Sequence, residues 1–259
     1  MSIICFIPAR GGSKSIPKKN IKDLGGKPLI AYTIETALKC GLRVIVNTDS
    51  DEIAAVAREF GAEVMMRPER LAKDTTSMFE VLRSQIPQIN PKPDAIMLLQ
   101  PTSPFRKSVQ VRMAIEYLAQ NEEYDSLVAV EKVPDKYNPA QVIITTPTGK
   151  GMVMGWIKTW FGKKPTKPSL EGVPITDRLT RRQDFPEAWI PTGSIYLFRT
   201  KNLKQGSIYG NKTMLLEVDP TTNINEPNDW KDAEDYLIAQ GVIKRSNEIV
   251  EEIKQELND

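Results

Sequence analysis

The sequence predicts a three-layer α/β fold, a mostly parallel β-sheet covered on both faces by helices. Two observations predict it. Short apolar runs alternate with stretches of helical spacing over the first 130 residues, which is the order of βαβ units. The apolar runs are also continuous, as in residues 94–100 (DAIMLLQ), and strands buried on both faces read that way. At 259 residues the chain suits one domain, 1–259, with a sizeable core.

The elements follow in order. Residues 3–7 form a strand that runs straight into a glycine- and lysine-rich loop. Residues 27–40 place Leu29, Ile30, Tyr32, Thr33, Ile34, Ala37 and Leu38 at helical spacing, and Gly41 is a C-terminal stop. Residues 42–47 (LRVIVN) are rich in strand formers. Asp49, Ser50 and Asp51 then cap a second helix through Phe60, closed by Gly61. Residues 62–66 read as a short strand, 75–86 as a helix opened by Asp74, 94–100 as a buried strand, 109–121 as a helix and 126–130 as a strand. About residues 149–184 the pattern breaks into an inserted basic segment with Trp156, Trp160, glycines, prolines and a run of Lys and Arg that includes Arg181 and Arg182. That segment reads either as a surface insertion or as a subunit-contact or substrate-covering element. From Gly193 a strand (GSIYLF) re-enters the fold, and residues 230–239 and 247–257 read as closing helices.

Composition removes several functions. A net charge of +2, from 35 basic and 33 acidic residues, gives no global field for nucleic acid or an anionic membrane. No long uncharged apolar run predicts a membrane span. The first residues are strand-like, without signal-peptide architecture, which predicts a cytoplasmic protein. Cys5 and Cys40 fit reduced thiols packed as small apolar groups. Histidine is absent, so Ser-His-Asp, Cys-His and His-based zinc chemistry are excluded. An enzyme made from this chain works by positioning, cations, carboxylates and a hard metal ion.

The loop after the first strand (ARGGSKSIPKKN, residues 9–20) predicts a polyphosphate seat. Gly11 and Gly12 permit positive φ and close approach of backbone N–H groups to an anion, and Arg10, Lys14, Lys18 and Lys19 add charge. The spacing fits neither the Walker A loop nor the dinucleotide fingerprint. Ligands of such sheets bind at the carboxyl ends of the strands. The loop, Thr48-Asp49 and Gln100-Pro101-Thr102-Ser103 all follow strand ends and so predict one crevice. Plainer alternatives stand beside these readings. Lys18 and Lys19 fit solvated lysines beside a turn, Asp49 fits a helix cap, and Gln100 fits a strand terminus. The tryptophans, Trp189 among them, fit packing or interface roles.

Several segments together resemble one family. They are IPARGGSKSIPKKNI (7–21), VNTDS (46–50), RPERLAKDTTS (67–77), LLQPTSPFR (98–106), RRQDFPEAW (181–189) and GSIYLF (193–198). In this order they resemble the cytidylyltransferases that activate acidic sugars, namely the CMP-sialic acid synthetases and their legionaminic and pseudaminic acid relatives. The resemblance implies a Rossmann-like nucleotidyltransferase fold and a homodimer with a protruding dimerisation and sugar-binding segment. It also implies a Mg²⁺-dependent reaction of CTP with an acidic sugar. Arg10, Lys14 and Lys19 are then the catalytic cations. Ala9, Arg10, Gly11, Gly12, Ser13, Lys14, Lys19, Asn20, Arg67, Ser77 and Gln100 are the nucleotide-binding residues. Gln100, Thr102, Ser103, Arg182, Gln183 and Tyr196 lie by the sugar. The chain departs from the family at the metal motif: Asp-Ile-Asp is replaced by Asn223-Ile224-Asn225, which makes Asn223 and Asn225 the metal positions. Thr192-Gly193 stands where Asn-Gly is usual, and Gln141 where a lysine is common.

Overall fold

The computed structural model describes residues 1–138, 143–145, 151–153, 187–220 and 222–244. Expectations for Gln141, Trp156, Trp160, Arg181, Arg182, Gln183 and the closing helix 247–257 lie outside the described residues. The chain divides into two compact units, Met1–Ala129 with Pro191–Asp259, and Val130–Ile190.

The described strands are β1 Ile3–Pro8, β2 Arg43–Thr48, β3 Glu63–Met66, β4 Ala95–Leu98, β5 Ser126–Lys132, β6 Ile143–Thr145, β7 Gly151–Val153, β8 Trp189–Arg199 and β9 Thr213–Glu217. The helices are α1 Leu29–Leu38, α2 Asp51–Glu59, α3 Met78–Gln85, α4 Ser108–Gln120 and α5 Pro227–Ala239. Seven strands form one sheet in the order β3-β2-β1-β4-β8-β5-β9, and β6 and β7 pair separately and antiparallel. β1 is parallel to both β2 and β4, and β2 is parallel to β3. β8 runs against β4, with Tyr196 opposite Leu98.

Both faces are covered, as the continuous apolar strands require. Cys5, Ile7, Val44, Val46, Met97 and Leu99 face one way, onto Ile30 and Ile34 of α1, Ala57 of α2 and Val111 and Leu118 of α4. Ile4, Phe6, Ile45, Ile96 and Leu98 face the other, onto Val81 and Leu82 of α3. A third cluster joins Trp230, Ala233 and Leu237 of α5 to Leu24, Leu29, Ile224 and Ile16. Ile16 lies inside the glycine-rich loop, so burying it pins that loop to the body of the protein. Burial of a side chain of this size contributes about 1.5–3 kcal/mol.

Several boundaries differ from expectation for local reasons. Asp74 does not open α3. Ser77 does, in a reciprocal box: its hydroxyl accepts from the Glu80 N–H (3.2 Å) and the Glu80 carboxylate accepts from the Ser77 N–H (2.8 Å). Ser50 alone caps α2, accepting from the Ile53 N–H at 3.4 Å. α5 starts at Pro227, because Asp229 accepts from the N–H groups of Asn225 (2.7 Å) and Glu226 (2.8 Å). β6, β7 and β9 were not foreseen. β9 is short, and its Leu215 is exposed, so the pattern that marks a buried strand is missing.

The turn into β9 is built on one acid. Asp125 accepts from the N–H groups of Asn211 (2.9 Å) and Lys212 (3.4 Å) and pairs with Lys201 (2.9 Å). Gly210, at φ +70°, packs directly on its side chain.

Candidate active site

The loop leaving β1 is held by its own backbone and by two acids. Ala9 is buried, and its N–H reaches the Asn47 carbonyl (2.9 Å), which extends the β1–β2 ladder by one residue. The Gly11 N–H donates to the Asp49 carboxylate (2.9 Å). Neither Gly11 nor Gly12 has a positive φ, contrary to expectation; the left-handed residue is Lys18, at φ +52°. Gly11 instead allows close approach, since a Cβ there would lie 3.0 Å from Ser50 Cβ. Gly12 has open space around it. The Ser13 N–H closes a tight turn onto the Gly11 carbonyl (3.0 Å), and Asn20 donates to the Arg10 carbonyl (3.0 Å) from a buried position.

The four cations of the loop separate into three environments. Arg10 and Lys14 both pair with Asp74, one on each carboxylate oxygen. That contact holds the Asp74 carboxyl below the usual range, through hydrogen bonds from Lys14 and then Arg10. Lys18 pairs with exposed Glu52 (2.8 Å) at the start of α2, so it is drawn away from the other three. Lys19 is half-buried and donates to the Ile224 carbonyl (2.9 Å). Burial pulls its ammonium below the ordinary lysine value, against the attraction of Asp229.

The Ile224 peptide is a junction. Its carbonyl takes Lys19, and its N–H donates to the Thr102 carbonyl at 2.7 Å. One peptide therefore brings the glycine-rich loop, the loop after β4 and the Asn223-Asn225 segment together. Around it, Thr102 Oγ1, Ser103 Oγ and Asn223 Oδ1 are buried oxygens without a hydrogen-bond partner among the described residues. Gln100 is half-buried, and its carbonyl accepts from the Ser103 N–H (3.3 Å) and from Arg106 (2.5 Å). Tyr196, on β8 beside Leu98, is half-buried, and burial raises its phenol above the usual range.

Arg67 forms a second group. It is buried, and its guanidinium donates to the Asn47 side chain (2.7 Å) and carbonyl (3.1 Å), while Asn47 donates to Gln85 (3.2 Å). Burial lowers its pKa, with Asp49 opposing. Asp49 thus couples Arg67 to the loop at Gly11. Ser77 stands apart, its hydroxyl committed to the Glu80 cap. Arg182 and Gln183 lie outside the described residues. Sequence reasoning missed Asp74 and Arg106 as members of the site. Both act over long separations.

Among the described residues no group of three or more His, Cys, Asp or Glu is placed to hold a metal ion. The buried Asn223 oxygen is a free neutral donor, but Asn225 donates its amide to the Asn223 carbonyl (3.4 Å), and one oxygen of Asp229 already takes two N–H groups. Mg²⁺ is ordinarily held by one or two carboxylates plus phosphate oxygens. These residues do not form such a site by themselves.

What remains is a set of cations and oriented donors beyond the carboxyl ends of β1 and β4, suited to stabilising charge on a phosphoryl group without histidine. A cytidylyltransferase profile matches residues 4–147, which include the glycine-rich loop, Arg67 and Gln100. The chain belongs to the cytidylyltransferase family. It is 42% identical over 143 residues to an N-acylneuraminate cytidylyltransferase of Escherichia coli O18:K1:H7, covering 54% of this chain and 33% of that protein. It is 30% identical over 253 residues to post-translational flagellin modification protein B of Campylobacter coli, covering 95% of this chain and 96% of the relative. The chain spans between 33% and 53% of the length of the first three curated relatives it matches. A CMP:2-keto-3-deoxy-manno-octonic acid synthetase solved with CTP shares the fold, with a TM-score of 0.66 at 18% identity, covering 93% of this chain and 100% of that one. The fold is therefore the α/β architecture that the apolar strands predicted, of the nucleotidyltransferase-like type that the resemblance implied. Among the described residues no helix is long and apolar enough to cross a membrane.

Proposed function

We propose that this cytidylyltransferase transfers CMP from CTP to an acidic sugar of the nonulosonic class, releasing pyrophosphate. The observation that carries the reading is the Ile224 junction, which supports a single site joining a phosphate loop to a sugar-side loop. A sugar hydroxyl oxygen attacks the α-phosphorus, the bond from that phosphorus to the pyrophosphate oxygen breaks, and the hydroxyl proton passes to solvent. Negative charge spreads over the phosphoryl oxygens, and Arg10, Lys14 and Lys19 hold it in place. Arg67 and Asn20 fix the nucleotide end. The unpaired hydroxyls of Thr102 and Ser103 suit the donors of a sugar, and Tyr196 lines the same side. Mg²⁺ enters as a companion of the triphosphate, and the protein works in the cytoplasm as a homodimer.

The test is pyrophosphate release with Mg²⁺ and each of CTP, UTP, ATP and GTP against sialic, legionaminic, pseudaminic and octulosonic acids. Release that needs CTP and one nonulosonic acid is the expected result. Release with another nucleotide, or with octulosonic acid alone, removes the proposed substrate pair; no release together with no CTP binding in calorimetry removes the activity.

Asp74 gives a further expectation for the same assay. It is exposed and sits on the two cations that a phosphate would use, so Asp74→Asn should tighten CTP binding about two- to fivefold, the range of an exposed ion pair. The gain should shrink in high salt. Weaker CTP binding in Asp74→Asn would assign the carboxylate to holding the cations in place.

A further inference from the structure

Arg106 is 3% exposed, yet among the described residues no Asp or Glu acts on it. Burial pulls its pKa down to about 10, and its one charge partner among those residues, Cys5, is a buried thiol. Taking a guanidinium out of water without a carboxylate costs several kcal/mol. Part of that cost is offset by three neutral acceptors: the Gln100 carbonyl (2.5 Å), the Ser194 carbonyl (2.8 Å) and the Thr33 hydroxyl (2.9 Å).

The three acceptors share a pattern. Gln100 opens the loop after β4, Ser194 lies on β8 two residues before Tyr196, and Thr33 is a fully buried residue of α1. Arg106 thus ties both sugar-side segments to a rigid helix. None of its bonds reaches residues 9–20 or the Arg67–Asn47 pair on the nucleotide side, and Gln100, which the resemblance places on both sides, is held by its carbonyl and not by its side-chain amide. Inside the loop it closes, Ser103 is fully buried with its hydroxyl unpartnered, and so is the hydroxyl of Thr102. An unpaired buried hydroxyl serves recognition only if its position is fixed to within a few tenths of an ångström, and that needs a clamp.

We propose that Arg106 is a positioning residue for the acidic sugar: its guanidinium fork sets the Gln100–Ser103 loop against β8 and so fixes the Thr102 and Ser103 hydroxyls that read the substrate. This rests on the cytidylyltransferase reading above. A lysine keeps the charge, but its three N–H donors all leave one nitrogen, so it cannot span the acceptors that Nε and the two terminal nitrogens of Arg106 reach separately. A glutamine keeps a donor and drops the charge.

The experiment compares the unsubstituted chain with Arg106→Lys and Arg106→Gln in the pyrophosphate-release assay, with melting curves recorded alongside. In Arg106→Lys the KM for the acid sugar should rise about tenfold while the KM for CTP changes less than twofold. Equal rises in both KM values, in step with a lower Tm, would reduce Arg106 to general stability; unchanged values for both would remove it from positioning altogether. Wild-type turnover reports on the enzyme reading separately. If wild type is silent, hydrogen exchange decides the clamp. The Ser103 amide bonds to Gln100 and the Ile224 amide to Thr102, and in either variant both should lose protection at least tenfold relative to α2. Retained protection at those amides, or a loss spread equally through α2, would overturn the proposal. Where Arg106→Gln fails to fold, Arg106→Lys alone carries both readouts.

Discussion

Lys19→Ala is expected to lower kcat by a hundredfold to a thousandfold, on the order of the loss when one preorganised donor to a developing anion is removed. Lys19 is the cation of the loop that is both half-buried and tied to the Ile224 junction, so its field is less screened by water than that of its neighbours. Lys18→Ala is the internal control. Lys18 pairs with exposed Glu52 and should leave kcat within a fewfold of wild type. A loss under tenfold in Lys19→Ala would take that amine out of the chemistry. The pH profile adds a second check. Burial lowers the Lys19 pKa below 10.5, so the active ammonium is present at lower pH and is lost as pH rises through a value below the ordinary one. The alkaline limb of kcat should therefore begin earlier than for an exposed lysine. The same shift means that burying the charged Lys19 costs stability below its folded pKa, and that the cost is relieved as pH rises towards 10.5.

Gly210→Ala should be the most damaging small substitution for stability. Two penalties coincide there: φ is +70°, and a Cβ would fall 2.4 Å from Asp125 Cβ. The left-handed backbone costs roughly 1–2 kcal/mol and overpacking about 1–3 kcal/mol more. At about 2–4 °C per kcal/mol for a chain of this size, the Tm should fall by roughly 4–20 °C. Gly206→Ala separates the two terms, because Gly206 has φ +83° but nothing within 4 Å of its Cβ. It should pay only the backbone penalty. Equal Tm losses in the two variants would show that the Asp125 contact relaxes freely.

Much of the fold was legible because burial on both faces writes itself into consecutive residues: β1 and β4 are apolar throughout and β2 is apolar from Val44 to Val46, and Gly41 and Gly61 stop their helices with positive φ. What failed was the assignment of acids. Asp49 and Asp74 stand just before helices in sequence, where an acid looks like a cap. In the fold, Ser50 and Ser77 take the capping role, and each aspartate is free to hold the glycine-rich loop, one through the Gly11 amide and one through Arg10 and Lys14. No local pattern reports those partners, which are 38 and 64 residues away. The orientation of β8 was hidden for the same reason. Arg106 was visible only as the last letter of a motif, since three neutral acceptors leave no charge pattern to read.

The place of β8 also governs when the protein can be complete during synthesis. The segment matched by the family profile, residues 4–147, contains β4 and β5, but the strand that lies between them comes from residues 189–199. Leu98 must wait for Tyr196. While the ribosome makes the intervening residues, β4 has an unpaired edge in the middle of the future sheet, apolar on both sides. That interval favours association between nascent chains and makes folding slow, because the closing contacts are distant in sequence. A fragment ending at residue 147 should therefore aggregate, although it holds the glycine-rich loop and the whole segment matched by the family profile.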